Sequence, residues 1–264
     1  MGFRRVNGVL LHWEEAGPPD GPVVVFSNSL GSDLRIWDEV AAALAGRFRI
    51  LRYDKRGHGL SDAPPPPYGI DDHARDLTGL LDTIGVERFA LVGLSVGGMI
   101  AQMIAAQAPD RVAALVLCGT APKIGDPDLW QARIAAVEEE GLSAIADAVI
   151  ARWFTDAFFS RRAEAVAGCR NMLLRTPAEG YAGTCAAIRD ADLSTLAASI
   201  SVPTLCLVGD EDRSTPPDLV RAAAATIPGA RFGIVEGAGH LPCIEQPATL
   251  ARLVGQHFQE VGLG

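Results

Sequence analysis

Short apolar runs recur along the chain, and most of them are separated by stretches with the spacing of amphipathic helices. The strand-like runs are residues 23–26, 50–53, 89–92, 115–118, 204–208 and 232–235. Helical patterns include residues 36–45, 71–84 and 97–107, with Asp71 or Asp72 expected as the N-cap of the second. This alternation predicts an α/β protein with a mostly parallel sheet and helices on both faces.

The beginning of the chain follows a different pattern. Residues 3–6 and 9–15 are strand-like and flank Asn7-Gly8, a pair that is typical of a β-hairpin with a type I′ turn. The sheet is therefore expected to begin with antiparallel strands and to contain eight strands in all.

The alternation of strands and helices stops after Thr120 and resumes at Val202. Between about 123 and 200 the chain has only helical patterns. An insertion between two strands that still pair must extend from their ends, so we expect a helical cap over residues 121–200. The remaining residues, 1–120 and 201–264, then form the α/β core.

The segment GLSVGG, residues 93–98, joins a buried strand to a helix with almost no loop. Gly93 and Gly97 permit the close approach that such a turn needs. Ser95 is expected at the tip of the turn, in the G-x-S-x-G pattern of a nucleophile elbow. A glycine-rich turn with an incidental serine is the alternative, but the strand–turn–helix context favours a nucleophile.

A serine hydroxyl needs a base to accept its proton, and the base needs an acid to orient it. His240 follows the last strand, where a loop can carry it to the carboxyl edge of the sheet. His58 is the rival base, although a structural role in its tight loop is favoured. Asp212 is the expected acid, with Asp210 as the alternative. The order Ser95, Asp212, His240 is that of α/β-hydrolases.

Acyl transfer through a serine also requires donors for the oxyanion of the intermediate. The backbone N–H of Val96 begins a helix and is free to bind an anion. The second donor is expected in the loop after the third strand, Ser27-Asn28-Ser29-Leu30-Gly31, where we predict the Leu30 N–H.

Charge and composition exclude several other classes of function. The 264 residues carry a net charge of −9, which argues against nucleic acid or an anionic membrane surface as a partner. No apolar run reaches the ~20 residues that span a bilayer, and no signal peptide is expected. The five cysteines are scattered without a C-x-x-C pair, so neither metal nor disulfides are expected, and reduced thiols favour the cytoplasm. The sequence does not fix the oligomeric state.

Several stretches resemble the α/β-hydrolases and, more narrowly, the 3-oxoadipate enol-lactonases of bacterial aromatic degradation. They are SNSLG (27–31) with Trp37, LRYDKRGHGLSDAP (51–64), GLSVGG (93–98), GTAPKIGDPDLWQARI (119–134), RWFT (152–155), AAIRDADL (186–193) and GHLPCIEQP (239–247). The motifs in the predicted core are common to many hydrolases, whereas the stretches in the predicted cap distinguish better between families of hydrolases. One departure is Val96, where methionine is expected. We expect this change to alter a pocket wall but to keep the N–H donor.

The resemblance implies a cytoplasmic, cofactor-free serine hydrolase that opens 3-oxoadipate enol-lactone to 3-oxoadipate in the β-ketoadipate pathway. Three alternatives stay open: a C–C hydrolase of ring-cleavage products, a general carboxylesterase or perhydrolase, and a non-catalytic ligand receptor on the same fold. A dehalogenase is disfavoured because position 95 is serine rather than aspartate. The receptor is disfavoured because all three triad positions are filled.

The small-molecule lactone carries a free carboxylate, so a protein of net charge −9 needs a local cation to bind it. The cap offers six candidates: Lys123, Arg133, Arg152, Arg161, Arg162 and Arg189. We favour Arg133, because Trp130 lies three residues before it on the same side of a predicted helix. Trp153 is expected to form the opposite wall. The alternative is that Arg133 is a solvent-exposed helix residue and that Trp130 belongs to the hydrophobic core of the cap.

Overall fold

The computed structural model describes residues 1–263 and has one eight-stranded sheet, with strand order β1-β2-β4-β3-β5-β6-β7-β8. β1 pairs antiparallel with β2 and β2 with β4, and all other neighbours are parallel. The α/β fold class predicted from the alternation of strands and helices is therefore confirmed. The strands are β1 (Gly2–Val6), β2 (Val9–Ala16), β3 (Val23–Ser27), β4 (Arg49–Tyr53), β5 (Phe89–Leu94), β6 (Val112–Cys118), β7 (Thr204–Gly209) and β8 (Arg231–Val235).

The opening hairpin is confirmed in detail. Asn7 has a φ of 50° and Gly8 a φ of 81°, so both central residues of the turn lie in the left-handed region that a type I′ turn requires. The register pairs Val6 with Val9 across this two-residue turn.

Helices cover both faces of the sheet, and a group of them lies between β6 and β7. The helices are α1 (Asp38–Leu44), α2 (Ile70–Thr83), α3 (Val96–Gln107), α4 (Pro127–Glu140), α5 (Ala146–Trp153), α6 (Asp156–Arg161), α7 (Ala163–Leu174), α8 (Ala178–Asp190), α9 (Ser194–Ala197), α10 (Pro217–Thr226), α11 (Pro242–Glu245) and α12 (Pro247–Glu260). Short 3₁₀ turns occur at Leu34–Trp37, Pro109–Arg111 and Leu142–Ala144.

Two local predictions are wrong in detail. The helix expected over residues 36–45 is divided into a 3₁₀ turn and α1, because the Asp33 carboxylate accepts the Arg35 N–H at 3.0 Å and starts a tight turn earlier. The N-cap of α2 is Gly69 rather than Asp71 or Asp72. Asp72 instead reaches back and accepts the Gly69 N–H at 2.8 Å, as the third helical residue does in a capping box.

The inserted helices leave the sheet uninterrupted. β6 and β7 pair directly, with Leu115 opposite Thr204, although α4 to α9 separate them in the chain. Within residues 1–263 no strand occurs between these two, as the helical pattern predicts. The inserted block packs closely on the core, because a Cβ on Gly57 would lie 2.5 Å from the Cα of Gly180 in α8.

One buried ion pair fixes the loop after β4 to α2. Arg56 donates to both carboxylate oxygens of Asp76, at 2.7 and 2.8 Å, and Asn7 donates to the same carboxylate at 3.2 Å. Asp76 is 1% exposed and Arg56 is 9% exposed. A charge buried this deeply is tolerated because its partner is fixed, so this contact holds the loop that carries Lys55 and His58.

No helix among residues 1–263 has the length and apolar character needed to cross a membrane.

We expect Asp76→Ala to lower the free energy of unfolding by about 3–5 kcal/mol, because it leaves the Arg56 guanidinium buried without its partner. Asp82→Ala, on the same helix, removes an exposed pair with Arg111 and should cost at most about 1 kcal/mol. Urea-induced unfolding of both variants measures the difference. Equal losses would contradict the structural role of the buried pair.

Candidate active site

Ser95 lies at the tip of a strained turn between β5 and α3. Its backbone has φ 57° and ψ −120°, a conformation that non-glycine residues rarely adopt. The turn can be this tight because Gly93 and Gly97 lack side chains. A Cβ on Gly93 would overlap the Gly97 carbonyl, and a Cβ on Gly97 would overlap the Ser27 carbonyl. The Ser95 N–H donates to Cys118 O at 2.9 Å, so β6 holds the strained residue in place.

Asp212 and His240 form a buried pair across the ends of β7 and β8. His240 Nδ1 lies 2.9 Å from Asp212 Oδ2, and both residues are 3% exposed. The Asp212 carboxylate also accepts the N–H groups of Ser214 and Thr215 and the Thr215 hydroxyl, at 2.7–2.9 Å. Burial alone would raise the pKa of Asp212, but His240 and these hydrogen bonds outweigh it and lower that pKa, so the carboxylate stays charged.

The two rival candidates lie elsewhere. The Asp210 carboxylate accepts the Ala238 N–H at 3.1 Å and so braces the loop after β8. His58 is fully buried outside the cavity, and its Nε2 accepts the Gly31 N–H at 3.0 Å. Both residues therefore support loops of the site, and it is Asp212 that contacts His240.

The amides of Leu30 and Val96 have no hydrogen-bond partner within the described part of the chain. The Ser95 hydroxyl likewise has none there. Leu30 and Ser95 line one cavity, and Val96 follows Ser95 as the first residue of α3. Ser95 therefore shares a cavity lining with Leu30 and is followed in the chain by Val96, and an oxyanion site requires two such free N–H donors.

The expectation that Val96 forms a pocket wall is wrong. Its side chain is fully buried in the core and is not among the residues that line the cavity. Valine in place of methionine therefore changes core packing rather than the surface that a ligand contacts.

A cavity of about 100 Å³ lies between the core and the inserted helices, which is room for several water molecules or part of a small ligand. It brings together Ser95, His240 and all three cap residues predicted from the sequence. Its lining comprises Ser29, Leu30, Ser95, Ile124, Gly125, Leu129, Trp130, Arg133, Val149, Arg152, Trp153, Tyr181, Ser214, Thr215 and His240. Among the described residues, no cluster of three or more His, Cys, Asp or Glu side chains could hold a metal ion.

The cap cations divide into two groups. Arg133 and Arg152 line the cavity, and the Arg133 guanidinium lies 4.8 Å from the centre of the Trp130 ring. Lys123 lies 3.6 Å from Asp192, and Arg189 pairs with Asp190 at 2.7 Å. Arg161 is the last residue of α6 and bonds to a carbonyl of its own helix, while the Arg162 guanidinium lies 6.0 Å from the centre of the Phe158 ring. The cavity therefore offers two positive charges to an anionic ligand.

Glu245 is a residue of the site that the sequence reasoning missed. Its carboxylate accepts the N–H and hydroxyl of Thr155, both at 2.9 Å, and the N–H of Gly239. Burial raises the pKa of Glu245 despite these bonds. Trp153 adds a second connection, because its carbonyl accepts the His240 N–H at 2.9 Å. These contacts join the end of α5 to the loop that carries His240.

Tyr181 and Thr215 were also missed. Tyr181 lines the cavity from α8 and is 1% exposed. Nothing in the local pattern around Tyr181 marks it, since it belongs to the site only through tertiary packing. Thr215 could have been found, because a serine and a threonine two and three residues after an aspartate are typical partners of its carboxylate.

This fold and site define an α/β-hydrolase. Residues 22–247 match the family model described as the alpha/beta hydrolase fold, and the chain belongs to this family. The chain is 35% identical to 3-oxoadipate enol-lactonase 2 of Acinetobacter baylyi over 93% of its own length and 92% of that protein. The crystal structure of the enol-lactonase from Burkholderia xenovorans LB400 is 40% identical, with a TM-score of 0.95 over 98% of this chain and 100% of that one. A thermophilic esterase from Thermogutta terrifontis is 30% identical, with a TM-score of 0.92 over 98% of each chain.

We expect Glu245→Ala to lower the free energy of unfolding by about 1.5–3 kcal/mol, because it removes a charged acceptor from three donors. Amide hydrogen exchange at Thr155 and Gly239 should accelerate at the same time. Glu211→Ala, an exposed carboxylate nearby, is the matched control and should change neither quantity. Unchanged exchange at these two amides in Glu245→Ala would show that the connection is not needed.

Proposed function

We propose that the protein is a serine hydrolase that opens 3-oxoadipate enol-lactone to 3-oxoadipate. The observation that carries the proposal is that Ser95 and His240 line the same cavity, with His240 hydrogen-bonded to buried Asp212. The similarity to enol-lactonases over nearly the whole chain supports the choice of substrate.

Acylation begins when the Ser95 hydroxyl attacks the lactone carbonyl carbon and its proton passes to His240 Nε2. Asp212 holds the opposite ring nitrogen, which fixes the orientation of the imidazole and stabilises the imidazolium. The new oxyanion accepts the N–H groups of Leu30 and Val96. Collapse of the intermediate breaks the ring C–O bond and leaves the acyl group on Ser95.

The leaving group is an enolate, which takes the proton from His240 as an enol and then tautomerises to the ketone. It leaves readily, so the reaction needs neither a metal nor a cofactor. A water molecule then attacks the acyl carbon and gives its proton to His240. Collapse of the second intermediate returns that proton to the Ser95 oxygen and releases 3-oxoadipate.

We assign the free carboxylate of the lactone to Arg133. The guanidinium is stacked on Trp130, which pre-orders the fork that can grip a carboxylate with two hydrogen bonds. Its position in the cavity lining lets the lactone ring extend from Arg133 toward Ser95, with Trp153 as part of the wall.

We also assign the enzyme to a reducing compartment, the cytoplasm. All five cysteines are free thiols buried in the structure. Burial raises the pKa of the thiols of Cys118, Cys185 and Cys206 to about 12, so they remain protonated and inert as in a reduced protein.

Loss of the ultraviolet absorbance of 3-oxoadipate enol-lactone tests the proposal with purified protein. We expect turnover by the wild type, a loss on the order of 10⁴–10⁶ in kcat for Ser95→Ala, and a loss of about 10⁴ for Asp212→Asn. Asp210→Asn is the matched control and should reduce kcat far less. More than a tenth of the activity in Ser95→Ala would refute the serine mechanism. Turnover of a ring-cleavage dienone without turnover of the lactone would instead indicate a C–C hydrolase. Turnover of p-nitrophenyl acetate without turnover of the lactone would indicate a general esterase.

Arg133→Gln should reduce kcat/KM for the lactone by ~10–100-fold, which corresponds to the ~1.5–3 kcal/mol of a hydrogen bond to a charged group. Hydrolysis of neutral p-nitrophenyl acetate should barely change. Arg152→Gln, which removes the other cavity cation, is the matched comparison and should have the smaller effect on the lactone. The reverse ranking of the two variants would place the carboxylate at Arg152, and equal losses on both substrates would indicate a defect of the cap.

A further inference from the structure

A buried lysine contacts the loop that carries one of the two oxyanion donors. Lys55 is fully buried, and its Nζ donates to Ser29 O at 2.7 Å and lies 3.4 Å from Asn28 O. The Ser32 hydroxyl donates to the same Ser29 carbonyl at 2.9 Å. Within residues 1–263 the Lys55 ammonium group bonds to backbone carbonyls rather than to a carboxylate. Lys55 therefore does not stabilise the fold through an ion pair.

The carbonyl of Ser29 and the N–H of Leu30 belong to one peptide unit. A trans peptide is planar, so these two groups point in opposite directions. The Ser29 carbonyl faces Lys55 in the core, and the Leu30 N–H therefore points away from Lys55. Ser29 and Leu30 line the cavity that contains Ser95 whereas the buried Lys55 does not, so the side of this peptide away from Lys55 is the side that faces the cavity.

We propose that Lys55 is a positioning residue for the oxyanion site: its ammonium group holds the Ser29 carbonyl and, through that peptide unit, orients and polarises the Leu30 N–H. A hydrogen bond from Lys55 to the carbonyl oxygen, strongest when the amine is protonated, draws electron density away from the amide nitrogen and makes the N–H a stronger donor. The inference rests on the serine-hydrolase chemistry proposed above, but not on the identity of the lactone.

His58 fixes the next peptide of the same loop. Its Nε2 accepts the Gly31 N–H at 3.0 Å while its Nδ1 lies 3.1 Å from Arg56 O. Burial and the nearby Lys55 lower the pKa of His58 well below its usual value, so the ring is neutral and Nε2 remains an acceptor. Lys55 and His58 together fix two successive peptide units of the loop after β3, residues 27–31, which we call the oxyanion loop.

The location of Lys55 has a cost for stability that a purely structural residue would avoid. Burial lowers the pKa of Lys55 to about 7, and the nearby carboxylates of Asp54 and Asp33 only partly oppose this shift. Because the folded pKa lies below that of an unfolded lysine, the unfolded chain binds more protons between pH 7 and 10.5, and the buried lysine reduces stability below pH 10.5. A methionine of similar shape would avoid this cost, so a functional reason for the charge is favoured.

The test compares wild type with Lys55→Met in the hydrolysis of p-nitrophenyl acetate. We expect kcat to fall about 10- to 100-fold, less than the ~10²–10³ for complete loss of an oxyanion donor. KM should stay within about twofold, because acylation and deacylation both pass through an oxyanion and slow by the same factor. Phenylboronic acid should also bind more weakly, because its tetrahedral adduct on Ser95 places an oxygen in the oxyanion site. Its inhibition constant should rise by about the factor by which kcat falls.

Ser61→Ala is the matched control. Ser61 braces the same loop by donating to Asp54 O at 2.6 Å and accepting the His12 N–H at 2.9 Å, but it does not contact the oxyanion loop. It should lose stability and keep its kcat. The role of Lys55 is refuted if Lys55→Met keeps kcat within twofold of wild type, or if Ser61→Ala loses as much kcat as Lys55→Met.

A second variant guards against failure of Lys55→Met to fold. Lys55→Gln keeps a neutral N–H donor without the charge and should show a smaller loss of kcat. Full activity in Lys55→Gln would also refute a role for the charge. Persistence of ester hydrolysis in Ser95→Ala would instead refute the proposed serine chemistry, so the two failures are distinguishable.

Discussion

The backbone of Ser95 is the constraint on which the rest of the site depends. A non-glycine residue at φ 57° costs on the order of 1–3 kcal/mol and persists only where its surroundings hold it. Here the Cys118 carbonyl accepts the Ser95 N–H, and the Thr120 hydroxyl donates to the Ser95 carbonyl at 2.7 Å. Gly97 must also lie against the Ser27 carbonyl, which brings α3 to the end of β3. That contact sets the first turn of α3, which begins at Val96, against the start of the loop that carries Leu30.

The parallel part of the sheet explains how distant segments meet at one cavity. Parallel strands all end at the same edge, so the loops that follow them converge there. Each loop contributes one part of the proposed site: the loop with Leu30 follows β3, Lys55 and His58 follow β4, Ser95 follows β5, Asp212 follows β7 and His240 follows β8. The antiparallel hairpin lies at the far side of the sheet, and its residues contribute nothing to the cavity lining.

This geometry also explains what could be predicted from the sequence. Ser95, Asp212 and His240 each follow a recognisable strand, and the rule about strand ends is enough to expect them together. The same holds for Trp130 and Arg133, which share one helix face by spacing alone. Lys55, Glu245 and Tyr181 were beyond such reasoning, because each acts across elements that are far apart in the chain. Local patterns also could not show that Asp72 reaches back to Gly69, that Val96 turns into the core, or that the short helices α6 and α9 form.

The inserted helices are hydrogen-bonded directly to the candidate site. The end of α5 is bonded to the loop after β8 through the Trp153 carbonyl and through Glu245, so a shift of α5 would move His240 with it. The wall formed by α4 is different, since within residues 1–263 the Trp130 indole donates to the Ile124 carbonyl of its own segment and Leu129 is largely exposed. The part of the cavity lining on α4 can therefore change without loss of a hydrogen bond to the loop that carries His240. A substitution near Trp153 would instead change the cavity lining and the segment that is hydrogen-bonded to His240 together.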